Sequence, residues 1–159
     1  MSELNQNPKE ILQEKLNEEY ADLIGRPWPG RRYPGCYDVI QKYYQTRVNR
    51  SLKSFSGLYT SFTDDAVAEE DGKWILRPEW GEDWDTSILQ KNDLLLFKIY
   101  NEALGGGYRD PNGRSPNHGG IYLGDGFMLH QLWKTDSEVV ELSRHYRICC
   151  VGVVRENAT

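Results

Sequence analysis

The chain has 159 residues, of which 38% are hydrophobic and 27% are charged, and its formal net charge is −5. This length favours one domain with a sizeable core, and the acidic balance argues against a surface for nucleic acid or an anionic membrane. The N-terminus is polar, and no apolar run approaches the roughly 20 residues that span a bilayer. The sequence therefore predicts a protein made in the cytoplasm without a signal peptide.

The first helix is predicted over 8–24. Asn7 can cap it, Pro8 suits its first position, and apolar residues recur inside it at spacings of three and four. Gly25 and Pro27 should end it.

A second helix is predicted from Cys36 to Val48, after a loop at 26–35 that is rich in proline and glycine. Its apolar positions, Ile40 among them, share one face with Cys36. The thiol of Cys36 therefore stands at the start of a helix.

Residues 50–90 show no clear period. They contain an acidic run at 64–71 and three tryptophans, Trp74, Trp80 and Trp84. Such a stretch can form a saccharide-binding surface, but we favour an irregular segment packed on the core.

Four strands are predicted in the second half of the chain, and a long glycine-rich loop lies between the first two, at 105–117. The predicted strands cover 93–100, 119–123, 126–132 and 147–154. The first and last are apolar runs, typical of strands covered on both faces, whereas the middle two form a hairpin around a Gly-Asp-Gly turn.

The position of Cys36 suits nucleophilic chemistry. A free thiol is mostly protonated at neutral pH, but the N–H groups and dipole of a helix start stabilise the thiolate, and a nearby imidazole can accept its proton. The same N–H groups can hold the oxyanion of a tetrahedral intermediate. Cys36 is therefore a candidate catalytic residue if the fold brings a histidine to it.

His118 and His130 are the histidines best placed for that role, because they flank the predicted hairpin. They face each other only if the connection has three or five residues or contains a bulge, since a two-residue turn at Gly124–Asp125 sends them to opposite faces. On one face, one ring can act as base toward Cys36 while the other fixes its tautomer.

The remaining histidine and cysteines lack this context. His145 lies among charged residues and is expected at the surface, while Cys149 and Cys150 lie in an apolar run and are expected in the core. A Cys/His metal site lacks close ligand pairs, so we predict no metal and no other cofactor.

Three blocks of the sequence resemble the NlpC-type papain-like cysteine peptidases. Within that family they are most similar to the tail-tip or tail-assembly proteins of long-tailed phages. The blocks are G-R-P-W-P-G-R-R-Y-P-G-C-Y-D-V-I-Q-K-Y-Y, N-D-L-L-L-F and N-H-G-G-I-Y-L-G-D-G-F-M-L-H-Q-L. They stand in the family's order, and the resemblance covers most of residues 22–155. The last block is the most specific.

The resemblance implies an α+β, papain-like fold in which N-terminal helices pack on a central antiparallel sheet. It implies a single domain over 1–159, with an N-terminal helix in 1–24 and a catalytic core in 25–155.

By the same resemblance, Cys36 matches the nucleophile, His118 the base and His130 the polar residue that orients the base. Trp28 or Tyr33 matches the tyrosine that lines the substrate site. The chain departs from the family in the residue before the cysteine, which is usually aspartate and here is glycine.

The implied reaction is hydrolysis of the amide bond between D-Glu, through its γ-carboxyl, and diaminopimelate or lysine in peptidoglycan stem peptides. A phage tail tip would carry such an enzyme to the cell wall without a signal peptide, with other tail proteins as partners. Two alternatives stay open: a tail-assembly or structural protein with an idle thiol site, and an acyltransferase or amidase on the same triad.

Overall fold

A computed structural model of the chain describes residues 7–28, 35–49, 72–99, 116, 118–132 and 134–156. The helices are α1 (Pro8–Glu19), α2 (Gly35–Tyr43) and α3 (Arg144–Cys149), with a π-helical turn at Tyr44–Val48 and a 3-10 turn at Thr86–Ile88. The strands are β1 (Gly72–Leu76), β2 (Leu94–Phe97), β3 (His118–Gly124), β4 (Phe127–His130), β5 (Glu138–Glu141) and β6 (Cys150–Glu156). The acidic run at 64–71 and nearly all of the loop at 105–117 lie outside the described residues.

Helix α1 is capped as the sequence predicts but ends earlier. The side chain of Asn7 accepts a hydrogen bond from the backbone N–H of Glu10 at 2.9 Å. After the helix the chain forms a tighter turn, in which the N–H of Leu23 donates a hydrogen bond to the carbonyl of Tyr20, only three residues back. The hydroxyl of Ser137 then donates to the carbonyl of Leu23. The predicted helix is therefore too long at its C-terminal end.

Helix α2 continues into the π-helical turn, so the predicted helix from Cys36 to Val48 is confirmed in extent. Two tyrosines hold its C-terminal end. The hydroxyl of Tyr43 donates to the side-chain carbonyl of Asn92, and the hydroxyl of Tyr44 donates to the backbone carbonyl of Asn92 at 2.6 Å. This end of α2 is thereby fixed beside the start of β2.

The strands form one six-stranded sheet in the order β1-β6-β2-β3-β4-β5, with every neighbouring pair antiparallel. The prediction of an α+β chain with helices and an antiparallel sheet is confirmed. Strands occur within each of the four predicted ranges, with different ends. The sequence does not predict β1 or β5.

Helices α1 and α2 cover one face of this sheet. Their buried side chains, such as Ile40, form one core cluster with the odd-numbered residues Ile121 and Leu129 of β3 and β4. The even-numbered residues Tyr122 and Met128 belong to a second cluster with α3. Because successive side chains of a strand alternate, the two clusters lie on opposite faces of the sheet.

The predicted strand over 147–154 is wrong at its start, because those first residues complete α3. Two donors from the segment before β2 satisfy the last carbonyl groups of this helix. The backbone N–H of Gly81 bonds to the carbonyl of Ile148 at 2.7 Å. The indole N–H of Trp84 bonds to the carbonyl of Arg147 at 2.8 Å.

Two of the three tryptophans pack on the core, as predicted for this segment. Trp74 and Trp84 are partly buried against the two core clusters. Trp80 is 48% exposed, and its indole N–H donates to the carbonyl of Lys98 at 2.7 Å. In the described part of the chain, no helix combines the length and apolar character that crossing a membrane requires.

An ion pair with a buried carboxylate joins the residue before β2 to β6. The carboxylate of Asp93, which is 1% exposed, accepts two hydrogen bonds from Arg155, both at 2.8 Å. We expect Asp93→Ala to lower the free energy of unfolding by about 3 kcal/mol, because it leaves a guanidinium without its buried partner. Urea unfolding followed by circular dichroism measures this.

The matched control is Asp83→Ala. Asp83 makes the same two-bond pair with Arg147, at 2.8 Å and 3.0 Å, but on the surface. Exposed pairs contribute little because water solvates both partners. A similar loss of stability in both variants would contradict this account of Asp93.

Candidate active site

The hairpin of β3 and β4 brings His118 and His130 to the same face of the sheet. Its turn residues, Asp125 and Gly126, both have positive φ, at 55° and 86°. That two-residue turn alone would put the histidines on opposite faces, but the register shifts by one residue between Tyr122 and Gly124. The bulge that the sequence analysis requires is therefore present.

The pairing differs in detail from a direct cross-strand pair. Gly120, not His118, stands opposite His130. His118 is the diagonal neighbour, and the absence of a side chain at Gly120 leaves the space between the two rings open. A Cβ built on Gly120 would lie 3.4 Å from the Cβ of His130 and 3.2 Å from the carbonyl oxygen of Leu129.

The two imidazoles are hydrogen-bonded to each other in a buried position. Nε2 of His118 lies 2.9 Å from Nδ1 of His130, and the rings meet at 77°. His118 is 5% exposed and His130 is 0% exposed. Because Nε2 of His118 is engaged, its Nδ1 is the nitrogen left to face a thiol.

Aromatic rings enclose the pair. Phe97, directly opposite His118 on β2, has its ring centre 5.8 Å from that imidazole, and Tyr146 of α3 lies edge-on to His130 at 5.3 Å. Burial, with a smaller contribution from His130, lowers the pKa of His118 well below its usual value. His118 is therefore neutral at physiological pH, the form that a general base requires.

Glu138 lies at the far side of His130, and the sequence analysis misses it. It stands directly opposite His130 in the pairing of β4 with β5, and its Oε2 is 3.4 Å from Nε2 of His130. His130 in turn lowers the pKa of this carboxyl. Among the described residues, Nε2 of His130 has no hydrogen-bond partner, since 3.4 Å exceeds normal bonding distance.

The N-terminal end of α2 lies at the histidine end of the hairpin. Asp38, in its first turn, is 3.9 Å from the guanidinium of Arg26. The backbone carbonyl of Arg26 accepts a hydrogen bond at 2.9 Å from the side chain of Gln131, the residue that follows His130. The opposite end of α2 is held at Asn92, near the start of β2. The helix therefore begins beside the residues that carry the imidazoles.

Cys36 is the second residue of α2, two residues before Asp38, so its backbone lies in the first turn of the helix. The side chain of Cys36 lies outside the described residues, as does Tyr33. Trp28 is half-buried in the loop that leads toward α2, two residues after Arg26.

The helix and the imidazole pair contact opposite faces of β3. Ile121 faces α2, whereas His118 is on the face of Phe97. Gly119, the residue after His118, falls on the helix side of the strand and has no side chain there.

The other cysteines are in the core, as the sequence predicts. Cys149 and Cys150 are free and buried. Burial raises the pKa of both thiols, and that of Cys150 to about 12. Neither thiol is activated for nucleophilic attack. His145 is exposed, also as predicted.

No protein-family model and no curated protein matches this chain. A function is therefore inferred from the geometry of the residues themselves and from the sequence blocks around them.

The lowered pKa of His118 predicts a loss of stability in acid. The unfolded chain, in which the pKa is about 6.5, binds more protons than the folded one as pH falls below that value. The free energy of unfolding should therefore decrease between about pH 7 and 5, by at most about 1.4 kcal/mol per pH unit from this group. Urea unfolding at a series of pH values measures the slope.

His118→Gln keeps a polar partner for His130 and should flatten this slope. His145→Gln removes an exposed histidine and should keep it. Equal slopes in the wild type and both variants would contradict the assignment of a buried, neutral His118.

Proposed function

We propose that this chain is a cysteine endopeptidase of the NlpC type that hydrolyses peptidoglycan stem peptides. The observation that carries the proposal is the buried hydrogen bond of 2.9 Å between His118 and His130, at the sheet end beside the start of the Cys36 helix. A nucleophile, a base and a group that orients the base make up the set that thiol acyl transfer needs.

In the proposed reaction, Nδ1 of His118 takes the proton of the Cys36 thiol. The thiolate attacks the amide carbonyl, and backbone N–H groups at the start of α2 hold the oxyanion that forms. His118 then gives the proton to the leaving amine as the C–N bond breaks. A water molecule, deprotonated by the same imidazole, hydrolyses the thioester and restores the free thiol.

The neutral state of His118 has a consequence for the resting enzyme. Because burial lowers the pKa of this imidazole, His118 is neutral before the reaction and can accept the proton of the thiol. His130 stabilises the imidazolium that forms, since the Nδ1 of His130 accepts from its Nε2–H.

The substrate and location follow from the resemblance of the three sequence blocks. They suggest the bond from the γ-carboxyl of D-Glu to diaminopimelate or lysine, with Trp28 or Tyr33 lining the site, and a place on a phage tail tip. A papain-like topology is part of the same proposal.

Burial of the histidine pair supports a working site over an idle one in a tail-assembly protein. Two polar rings taken out of water destabilise a fold unless their hydrogen bonds are made, and His130 keeps an unsatisfied nitrogen among the described residues. Retaining such a feature is expected at functional sites. An acyltransferase or amidase would use the same residues and differ in the acceptor.

The test is mass spectrometry of purified stem peptides incubated with the protein. We expect cleavage by the wild type, and a loss of at least about 10³-fold in Cys36→Ala and His118→Ala, because each removes a group that forms or breaks a bond. Cys149→Ala is the matched control, since it removes a buried thiol that takes no part, and it should retain activity if folded. Unchanged cleavage by Cys36→Ala would overturn the proposal.

A further inference from the structure

A histidine in the orienting position can make its hydrogen bond to the base in either of two directions, unlike a carboxylate, which only accepts. A neutral imidazole donates through one nitrogen and accepts through the other, so the single bond between His118 and His130 can run in either direction. In one arrangement, Nε2–H of His118 donates to Nδ1 of His130. In the other, Nδ1–H of His130 donates to Nε2 of His118.

Only the first arrangement allows His118 to act as base. When Nε2 of His118 carries the proton, its Nδ1 has a free lone pair that can accept from a thiol. In the reverse arrangement the proton of His118 sits on Nδ1, so the same nitrogen presents a donor and cannot take a proton. The direction of one hydrogen bond therefore decides whether the site works.

We infer that Glu138 is a positioning residue that sets this direction. A carboxylate only accepts hydrogen bonds, and Glu138 presents Oε2 at 3.4 Å from Nε2 of His130. A proton on that nitrogen faces a negative charge, whereas a bare lone pair there would face the same charge and be repelled. Glu138 thus favours Nε2–H on His130, leaves its Nδ1 as an acceptor, and so orders His118 as a base.

The pairing of the strands makes this arrangement specific. Glu138 is the direct cross-strand partner of His130, and Nε2 of His130 is fully buried without a hydrogen-bond partner among the described residues. Among the described residues, the other ionisable groups that face His130 are His118 from β3 and Tyr146 from α3. Tyr146 packs edge-on to the ring, so Glu138 supplies the charge at the far nitrogen. The lowered pKa of Glu138 agrees, since it keeps the carboxyl ionised.

The inference depends on the proposed function for its meaning, but its test does not require activity. Two-bond ¹H–¹⁵N correlation spectra of the full chain with ¹⁵N-labelled histidine report which ring nitrogen carries the proton. At a pH above 7, we expect Nε2–H for both His118 and His130 in the wild type. In Glu138→Gln, we expect a mixture of tautomers, because an amide presents both a donor and an acceptor in the same shape.

Two further variants separate charge from packing. Glu138→Asp changes the packing but keeps a carboxylate, so its tautomers should stay closer to the wild type than those of Glu138→Gln. Glu141→Gln removes the same charge from the same strand, but Glu141 is opposite Phe127 and pairs with Lys9 on the surface. Its spectrum should match the wild type.

Alkylation of Cys36 by iodoacetamide at pH 7 gives the matching kinetic readout. We expect a decrease of roughly tenfold in Glu138→Gln, because it removes the negative charge 3.4 Å from Nε2 of His130, and no decrease in Glu141→Gln. Wild-type tautomers and alkylation rate in Glu138→Gln would overturn the inference. So would a proton on Nδ1 of His118 in the wild type.

The two proposals fail in different ways. If Cys36→Ala loses cleavage but Glu138→Gln keeps the wild-type tautomers, only the role of Glu138 is wrong. If Cys36→Ala keeps cleavage, the peptidase proposal is wrong, and the spectra still decide whether Glu138 sets the tautomers.

Discussion

The hydrogen bond between His118 and His130 is the interaction on which the rest of the site depends. Three features make it: the bulge of the β3–β4 hairpin that brings both residues to one face, the missing side chain of Gly120, and the rings of Phe97 and Tyr146 that pack against the imidazoles from β2 and α3. Because both rings are buried, neighbouring protein groups strongly influence the direction of that bond. We propose that the carboxylate of Glu138, on the neighbouring strand β5, sets that direction.

The helices α1 and α2 and the imidazole pair lie on opposite faces of the sheet. One face is covered by α1 and α2 with an apolar cluster, while the other holds the imidazole pair among aromatic side chains. Helix α2 packs on the face opposite to the imidazole pair. Contacts at Asp38 and Asn92 fix its direction, so that its N-terminus lies toward the end of β3 that carries His118. The N-terminus of α2 and the imidazole pair therefore lie at the same end of β3.

Much of this arrangement is predictable from the sequence, because the periods of strands and helices are robust. Because strand side chains alternate with a period of two, the sequence shows that His118 and His130 share a face only with a bulge or a connection of three or five residues. The capping residue Asn7 marks the start of α1. The register is not predictable, since the position of the bulge depends on how the Asp125–Gly126 turn closes. Strand β5 has the sequence E-V-V-E, which shows no two-residue alternation, so the sequence does not indicate that Glu138 pairs with His130. Helix α3 is not predicted, because its last residues run directly into the apolar residues of β6. It is also stabilised by hydrogen-bond donors from a distant segment, including Gly81.

The most direct measurement is the identification of the covalent intermediate. Stem peptide mixed with the protein, quenched rapidly in acid and mapped by mass spectrometry, should show an acyl group in thioester linkage to Cys36, and the adduct should be absent after mixing with His118→Ala. Cleavage of the peptide with no acyl group on Cys36 at any quench time, or an adduct on another residue, would contradict the account.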